Sequence, residues 1–328
     1  MAVTPYAVLA VDAGNSKTDV ALVAPDGSVA ARGRAGGFQP AVTGVAAAVD
    51  VIAEALASSG AAADGGGPLA GHVSACLANA DFPQEERELA REIERRGWGR
   101  GTAVHNDTFA LLRAGLPAGA EPRGVAVVCG AGINCVGMTP DGRTARFPAV
   151  GQISGDWGGG GGLADEAMWF AARAEDGRGG PTELAKALPA HFGLGSVYEL
   201  VEALHLGRIP RERRHEMTPV LFAVADRGDA VAQALVDRQA DEVVAMASVA
   251  LERLGLLAEE VPVVLGGSVL AAGHPRLHDR LAARLADRAP LARVTVVTAA
   301  PVLGAALLGL DAVGAREPAY GELRLRFG

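Results

Sequence analysis

Apolar residues in this chain are grouped into short continuous runs that end in glycine-containing turns, a pattern typical of buried β-strands. The segment 8–27 consists of an apolar run, a turn with Gly14, a second apolar run and a Pro-Asp-Gly hairpin. The segment 125–142 repeats this order in shorter form, and its hairpin follows the first by 115 residues. Because that spacing is the size of a domain, the pattern predicts a duplicated α/β domain and not a solenoid.

Helices and further strands are predicted after the first hairpin. The apolar spacing indicates a helix at 42–57, a strand at 73–78, a helix at 83–96, a strand at 102–105 and a helix at 108–114. The helix at 83–96 has the clearest signals, because it begins with proline, carries acids early and bases late, and stops at a glycine.

The second half is longer than the first. Residues 163–255 are mostly helical in pattern and are interpreted as an insertion, and a short strand at 263–265 follows them. We therefore expect a first domain at residues 1–118 and a larger second domain at 119–328, with a cleft between them. The last helix is expected to pack back on the first domain.

Composition and charge narrow the class of partner. With 49% hydrophobic and 21% charged residues the chain has the composition of a globular protein. Its formal net charge of −8 argues against a nucleic-acid partner, since phosphate-backbone binding needs a concentrated basic face. The one basic run, 208–214, has no interleaved aromatic residues and is interpreted as a solvated helix start.

Cysteine usage and hydropathy bear on the compartment. Cys76, Cys129 and Cys135 lie in apolar runs without CxxC spacing, so neither a disulfide framework nor a metal cage is expected. The start of the chain lacks the basic segment of a signal peptide, and the longest charge-free runs are interrupted by turns or proline. A cytoplasmic protein without a membrane partner is the expectation.

The turn at 12–19 is a candidate phosphate loop. It joins two strands, and Gly14 permits a tight turn that leaves the following amides unobstructed for phosphate oxygens. Asp12, at the end of the first strand, is suited to hold Mg²⁺ through water. A Walker A loop is excluded because strands flank the turn on both sides. The alternative is that these residues serve only hairpin geometry.

The second copy places a glycine turn at 130–134 where the first copy has the Asp12 loop. Two such turns on duplicated domains are expected to face each other across the interdomain cleft, where ligand sites are commonly built. A dinucleotide-binding fingerprint is excluded, because the third glycine is missing and a strand follows the turn.

Six motifs occur in a characteristic order: DAGNSKTD, HNDT, CGAGIN, GQISGDWGGG, VVLGGSVLAAG and APVLGAALLG. This order resembles the sugar kinase, actin and heat-shock chaperone ATPase superfamily. Within it the chain is most similar to N-acetylglucosamine kinases and bacterial BadF/BadG-type ATPases. The resemblance covers nearly the whole chain and implies two actin-like (ribonuclease H-like) domains, the use of ATP and Mg²⁺, and a homodimer.

The resemblance implies that the two glycine turns bind the phosphates of ATP and that a third, at 266–268, binds adenosine. The implied ATP- and phosphate-binding residues are Asp12, Gly14, Asn15, Ser16, Lys17, Thr18, Gly130, Ala131, Gly132, Gly266, Gly267 and Ser268. Asp12 is also the implied Mg²⁺ ligand, through water.

The resemblance also implies a catalytic base and a sugar pocket. Asp107 falls where these kinases place the carboxylate that accepts the proton of the sugar hydroxyl. The implied substrate-binding residues are Gln39, Asn106, Asp107, Asn134, Gly151, Gln152 and Asp156. The alternative for Asp107 is a capping role in the helix that begins at Thr108.

The expected reaction is ATP-dependent phosphorylation of the 6-hydroxyl of an amino sugar, most closely N-acetylglucosamine. The chain departs from the pattern of these kinases at two positions. Ala131 replaces their usual threonine, and Gln39 is the residue nearest to their usual asparagine. The identity of the sugar is therefore left open. Glucosamine or another hexose is the alternative substrate. An ATPase that activates a 2-hydroxyacyl-CoA dehydratase, or a non-catalytic sugar-responsive protein, is the alternative of a different class.

Lysine is rare in this chain. Of its 30 lysine and arginine residues, 28 are arginine, and the two lysines are Lys17 and Lys186. Lys17 lies inside the candidate phosphate loop, where a compact ammonium suits a tight turn better than a planar guanidinium. The two interpretations are a phosphate contact and a solvated turn lysine.

Overall fold

Two five-stranded sheets with the same strand order form the frame of the molecule. The computed structural model describes residues 4–61 and 68–327. The first sheet has the order β3-β2-β1-β4-β5, and its strands are β1 (Tyr6–Ala13), β2 (Thr18–Val23), β3 (Val29–Ala35), β4 (Ala70–Leu77) and β5 (Gly99–Asn106). The second has the order β8-β7-β6-β9-β10, and its strands are β6 (Gly124–Cys129), β7 (Ile133–Met138), β8 (Thr144–Arg146), β9 (Val261–Gly266) and β10 (Ala292–Val296).

The two sheets also agree in strand direction. In each, the first strand in sequence is antiparallel to the second and parallel to the fourth. The predicted α/β class with two actin-like halves is confirmed. The repeat was visible in the sequence because buried strands in the middle of a sheet are written as continuous apolar runs.

The helices of the first half are α1 (Pro40–Thr43), α2 (Val45–Ser58), α3 (Pro83–Arg96) and α4 (Asp107–Gly115). The bounds of α3 are those predicted. The Glu85 carboxylate accepts the backbone N–H groups of Asp81 and Phe82 at 2.9 Å, and Gly97 ends the helix at φ 69°. The predicted helix at 42–57 is instead two helices, because Gly44, at φ 83°, interrupts the helical backbone between them.

The second half carries the remaining helices. They are α5 (Gly159–Glu175), α6 (Leu184–His191), α7 (Val197–His205), α8 (Met217–Asp226), α9 (Ala230–Leu254), α10 (Ser268–Ala271), α11 (Pro275–Arg288), α12 (Pro301–Ala312) and α13 (Glu317–Phe327). Short 3₁₀ turns lie at Gly151–Ser154 and Arg211–Glu216. Within residues 4–61 and 68–327, no helix is both long and apolar enough to cross a membrane.

Helices α4 and α12 lie between the two sheets. On α4, Leu111 and Leu112 pack with Ala126 and Val264 of the second sheet. On α12, Ala305 accepts a hydrogen bond at 2.7 Å from the Ser74 hydroxyl of the first sheet. The C-terminal part of the chain therefore returns to the first sheet, and the N-terminal end of α4 lies where the two halves meet.

Candidate functional site

Asp107 is held at the junction between β5 and α4. The side-chain carbonyl of Asn106 accepts the Thr108 N–H at 3.0 Å, so Asn106 caps the helix and Asp107 is not needed for that role. Asp107 lines a cavity of about 980 Å³ between the two halves. Burial raises its pKa to about 6. A carboxylate in this position is ionised at neutral pH and is still basic enough to accept a proton.

Asp12 provides a second carboxylate close to Asp107 and is the more deeply buried of the two. It is the last residue but one of β1 and is 7% exposed. Burial, followed by the negative charges of Asp107 and Asp19, raises its pKa to about 7, against the opposing effect of Lys17. Two ionised carboxylates this close together raise the free energy of the folded chain unless a cation lies near them.

The chemistry of this pair fits Mg²⁺. The ion is commonly held by one or two carboxylates together with substrate phosphates and water, and not by an all-protein cage. In the described part of the chain, no group of three or more His, Cys, Asp and Glu side chains forms such a cage. Asp12 is therefore suited to hold Mg²⁺ in the manner predicted, with Asp107 nearby.

The first glycine turn has backbone amides that are free to bind a ligand, whereas its lysine is already paired with a carboxylate. The Gly14 N–H donates to the Lys17 carbonyl at 2.8 Å and closes the turn, while the Asn15, Ser16 and Lys17 amides donate to no acceptor among the described residues. The Lys17 ammonium lies 2.8 Å from Asp19. Although burial alone would raise the pKa of Asp19, hydrogen bonds from Arg34 and Lys17 lower it. Lys17 is thus paired within the turn.

The second glycine turn is fastened to the start of α5. The Gly160 N–H donates to the Gly130 carbonyl at 2.7 Å, and the Gly161 N–H donates to the Ala131 carbonyl at 2.8 Å. The Ala131 and Gly132 amides donate to no acceptor in residues 4–61 and 68–327. Free amides in a tight turn are a suitable cradle for phosphate oxygens.

Gly267 brings the third glycine turn against the second. It has φ 83°, and a Cβ atom there would lie 2.4 Å from the Cys129 carbonyl oxygen and 2.7 Å from the Gly130 nitrogen. Only glycine allows this approach. The 266–268 segment therefore lies directly behind the second glycine turn.

A chain of amide and carboxyl groups crosses from one half to the other. The Asn134 amide donates to the Asn106 carbonyl oxygen at 3.1 Å, and the Asn106 amide donates to Asp81 at 2.8 Å. Burial, then the charges of Glu85 and Asp107, raise the pKa of Asp81 to about 7. Asp81 was not predicted, because in sequence it looks like the ordinary acidic residue that precedes a helix.

Arg146 joins the same two halves from the side of β8. Its guanidinium lies 2.7 Å from the Glu86 carboxylate and donates to the Ala80 carbonyl at 3.0 Å and the Asp81 carbonyl at 3.3 Å. The loop that carries Asp81 is therefore fixed to the second half. No sequence pattern indicated this contact, since the residues are 60 or more positions apart.

Asp156 closes the loop at 151–156. Its Oδ2 accepts the Gly151 N–H at 3.0 Å and the Ser154 hydroxyl at 2.6 Å. Beside it, the Trp157 indole donates to Glu166 at 3.2 Å and lies 4.1 Å from the Arg238 guanidinium. The loop is a fixed wall of the cavity.

The cavity brings together ten of the residues expected at the site. They are Asn15, Asn106, Asp107, Gly130, Ala131, Gly132, Asn134, Gly151, Gln152 and Asp156. Nine others do not line it: Asp12, Gly14, Ser16, Lys17, Thr18, Gln39, Gly266, Gly267 and Ser268. Of these, Thr18 is fully buried within β2, and Gln39 donates to the Asn15 carbonyl at 3.1 Å.

The sequence did not indicate several polar and aromatic residues that line the cavity. They are Asn79, Asp81, Thr108, Asp165, Glu166, Trp169, Phe170 and Arg214. Most of the unexpected residues lie on α5 or in connecting segments, where sequence spacing does not show which side chains face the cleft.

The sequence matches a known family over most of its length. The model of the BadF/BadG/BcrA/BcrD ATPase family matches residues 9–309. The N-acetyl-D-glucosamine kinase of Dictyostelium discoideum is 25% identical over 244 residues, which are 73% of this chain and 75% of that protein. The N-acetylmuramic acid/N-acetylglucosamine kinase of Clostridium acetobutylicum is 25% identical over 193 residues, 59% of this chain and 62% of that protein.

Solved structures share the fold. A candidate N-acetylglucosamine kinase from Chromobacterium violaceum superposes with a TM-score of 0.69 at 22% identity, covering 94% of this chain and all of that one (100%). A ROK family glucokinase from Streptomyces griseus, solved with glucose and AMPPNP, has a TM-score of 0.54 at 18% identity, covering 92% of this chain and 98% of that one.

Proposed function

The chain belongs to the BadF/BadG/BcrA/BcrD ATPase family, and from this premise we propose that it is an ATP-dependent amino-sugar kinase. The proposed reaction transfers the γ-phosphoryl group of ATP to the 6-hydroxyl of N-acetylglucosamine and releases ADP. One observation supports it above the others: Asp107, a half-buried carboxylate, lines a cavity that residues of both glycine turns also line. The names of the two curated relatives support the choice of sugar.

In the proposed mechanism Asp107 accepts the proton of the sugar 6-hydroxyl. That oxygen forms its bond to the γ-phosphorus as the bond from phosphorus to the ADP oxygen breaks. With its pKa raised to about 6, Asp107 is ionised at neutral pH before the step. Its role requires position more than covalent chemistry, because phosphoryl transfer is accelerated mainly by alignment and charge stabilisation.

The glycine turns are proposed to hold the phosphate chain through the free amides of 15–17 and 131–132. Mg²⁺, held by Asp12 through water, would neutralise phosphate charge when bound. Asn106, Asn134 and Asp156, which line the same cavity, are proposed to contact the sugar. The hydrogen bonds among Asp81, Asn106 and Asn134 keep these polar groups oriented before the sugar arrives.

The alternative role as an activator of a 2-hydroxyacyl-CoA dehydratase finds no support in the cysteines. That role needs thiolates placed to hold an iron–sulfur cluster. Cys76, Cys129 and Cys135 are all buried. Burial raises the pKa of Cys129 to about 12 and the pKa of the other two thiols well above their ordinary range. A homodimer in the cytoplasm remains part of the proposal.

An ADP-release assay over a panel of sugars tests the proposal. The panel contains N-acetylglucosamine, glucosamine, glucose and N-acetylmannosamine, with 6-deoxy-N-acetylglucosamine as the matched control. We expect release to be fastest with N-acetylglucosamine and absent with the 6-deoxy sugar, which lacks the acceptor oxygen. Absence of sugar-stimulated release over the whole panel would favour the non-catalytic alternative, and a faster rate with another sugar would reassign the substrate.

A further inference from the structure

The cleft has a strong excess of negative charge. Among the described residues that line it, five are acidic and one is a cation, Arg214. The acids are Asp81, Asp107, Asp156, Asp165 and Glu166. A nucleotide di- or triphosphate adds several further negative charges, and one divalent ion does not offset all of them. Lys17, the cation that the sequence suggested for this task, is paired with Asp19 and does not line the cleft.

Arg214 is placed on the side of the second glycine turn. It belongs to the 3₁₀ turn Arg211–Glu216, which runs directly into α8. At the start of α8 the Thr218 hydroxyl donates to the Gly160 carbonyl at 2.7 Å. The Gly160 N–H in turn donates to the Gly130 carbonyl. A short series of hydrogen bonds therefore connects the turn that carries Arg214 to the candidate phosphate loop.

Arg214 is also held more loosely than its neighbour. Among residues 4–61 and 68–327 its guanidinium has one polar partner, Asp165, at 3.1 Å, and the two side chains are 38% and 59% exposed. Arg213, by contrast, makes two contacts with Glu216, at 2.6 and 2.9 Å, and lies 5.2 Å from the Phe192 ring. Arg214 also lines an adjoining cavity of about 360 Å³, so space is present around its side chain.

We infer that Arg214 binds the phosphate chain of the nucleotide, exchanging its loose contact with Asp165 for phosphate oxygens. A guanidinium is well suited to this exchange, because its fork of donors matches phosphate geometry. The inference rests on the proposed kinase function and adds to it the residue that supplies positive charge to the nucleotide. It also gives a role to one member of the basic run at 208–214, which sequence alone left as a solvated helix start.

Titration calorimetry with ADP tests the inference on three variants and the wild type, in the presence of EDTA so that Arg214 is measured apart from Mg²⁺. We expect Arg214→Gln to raise the Kd for ADP roughly tenfold, the loss of one charge-assisted hydrogen bond. The matched control Arg213→Gln should leave the Kd unchanged. Asp165→Asn should lower the Kd or leave it unchanged, because it removes a competing acceptor and a negative charge.

The opposite directions expected for Arg214→Gln and Asp165→Asn separate phosphate binding from a structural ion pair. If both variants weaken ADP binding alike, the pair only holds α5 against the turn, and the inference is wrong. It is wrong as well if Arg214→Gln weakens sugar binding in place of ADP binding. An ADP affinity unchanged in Arg214→Gln overturns this inference alone, whereas a wild type that binds no ADP either in EDTA or with Mg²⁺ restored overturns the proposed function with it. Thermal melts verify that each variant is folded.

Discussion

Asn79 adopts a left-handed backbone conformation, φ 59°, where β4 leads toward α3. Its side-chain amide donates to the Asn15 side chain at 3.0 Å and to the Phe38 carbonyl at 3.2 Å, and it lines the cavity. The loop at 36–40 was expected to offer an amide to the sugar through Gln39, but that side chain does not line the cavity. Asn79 therefore brings a side-chain amide to the cavity beside this loop, and its carbonyl oxygen can still accept a hydrogen bond from a sugar hydroxyl.

We predict that Asn79→Gly raises the KM for the sugar by roughly 2- to 10-fold, the range for one lost hydrogen bond. Glycine removes the amide and its hydrogen bonds to Asn15 and Phe38 but is comfortable at positive φ, so the thermal midpoint should fall only slightly. Asn79→Ala should raise the KM equally and lower the midpoint further, because alanine is strained there. Steady-state kinetics and melting curves measure both quantities. An unchanged KM in Asn79→Gly would leave Asn79 a turn residue only.

Single residues differed in how far the sequence could reveal them. Asp107 and Asn134 stand in motifs whose order is specific, so their meeting at one cavity followed from the duplicated fold. Asn79, Asp81 and Arg214 have no motif of their own, and their place is set by contacts between distant segments. Lys17 shows the opposite case, because its loop was recognised but its pairing with Asp19 depends on side-chain geometry.

At the scale of elements, the turn between β9 and α10 determines how closely the third glycine turn approaches the second. Gly267 and Gly273 both have positive φ, 83° and 67°. A Cβ at Gly267 would meet the Cys129 carbonyl and the Gly130 nitrogen, whereas a Cβ at Gly273 would have nothing within 4 Å. The two positions share the backbone requirement and differ in crowding.

We predict that Gly267→Ala lowers both stability and nucleotide affinity, because the ends of β6 and β9 must move apart to admit the methyl group. The cost should exceed the ~1–2 kcal/mol of left-handed strain alone. Gly273→Ala should cost only that strain and keep its ADP affinity. Chemical denaturation and ADP titration of the pair measure these effects. Equal losses in the two variants would show that crowding at Gly267 is unimportant.

Elements with local signals were predicted most accurately. Helix α3 has the predicted bounds because its proline, its charge order and Gly97 all act within the helix itself. The predicted helix at 42–57 was wrong in its continuity, since a glycine inside a helical pattern does not reveal its φ. The packing of α12 on the first sheet depends on contacts such as that between Ser74 and Ala305, 231 residues apart.

At the scale of the whole molecule, two sheets and the helices between them shield the carboxylates of Asp12 and Asp107 from much of the surrounding water. Both pKa values are raised above the ordinary value of 3.8, to about 7 and about 6. The folded chain therefore binds more protons than the unfolded chain between pH ~4 and ~7. This contribution to stability is complete below pH ~4 and is lost as the pH rises through 6 to 7.

We predict that Asp12→Asn reduces the fall in unfolding free energy between pH 5 and pH 8, by up to about 3 kcal/mol for this coupled pair. The amide keeps the shape and removes the charge. Asp19→Asn is the matched control, because the pKa of Asp19 is lowered and its ionised form is the stabilising one. Denaturation without nucleotide or Mg²⁺ at both pH values provides the measurement. Parallel pH profiles for Asp12→Asn and the wild type would contradict the prediction.

The central claim is that the cleft between the two halves transfers phosphate to a sugar with Asp107 as the base. Its most direct test is the rate of ADP release with saturating ATP and N-acetylglucosamine, compared between the wild type and Asp107→Asn. We predict that kcat falls by about 10²- to 10⁴-fold while the Kd for the sugar changes only modestly, since asparagine keeps the shape but cannot accept the proton. A variant that retains near-normal turnover would contradict the claim.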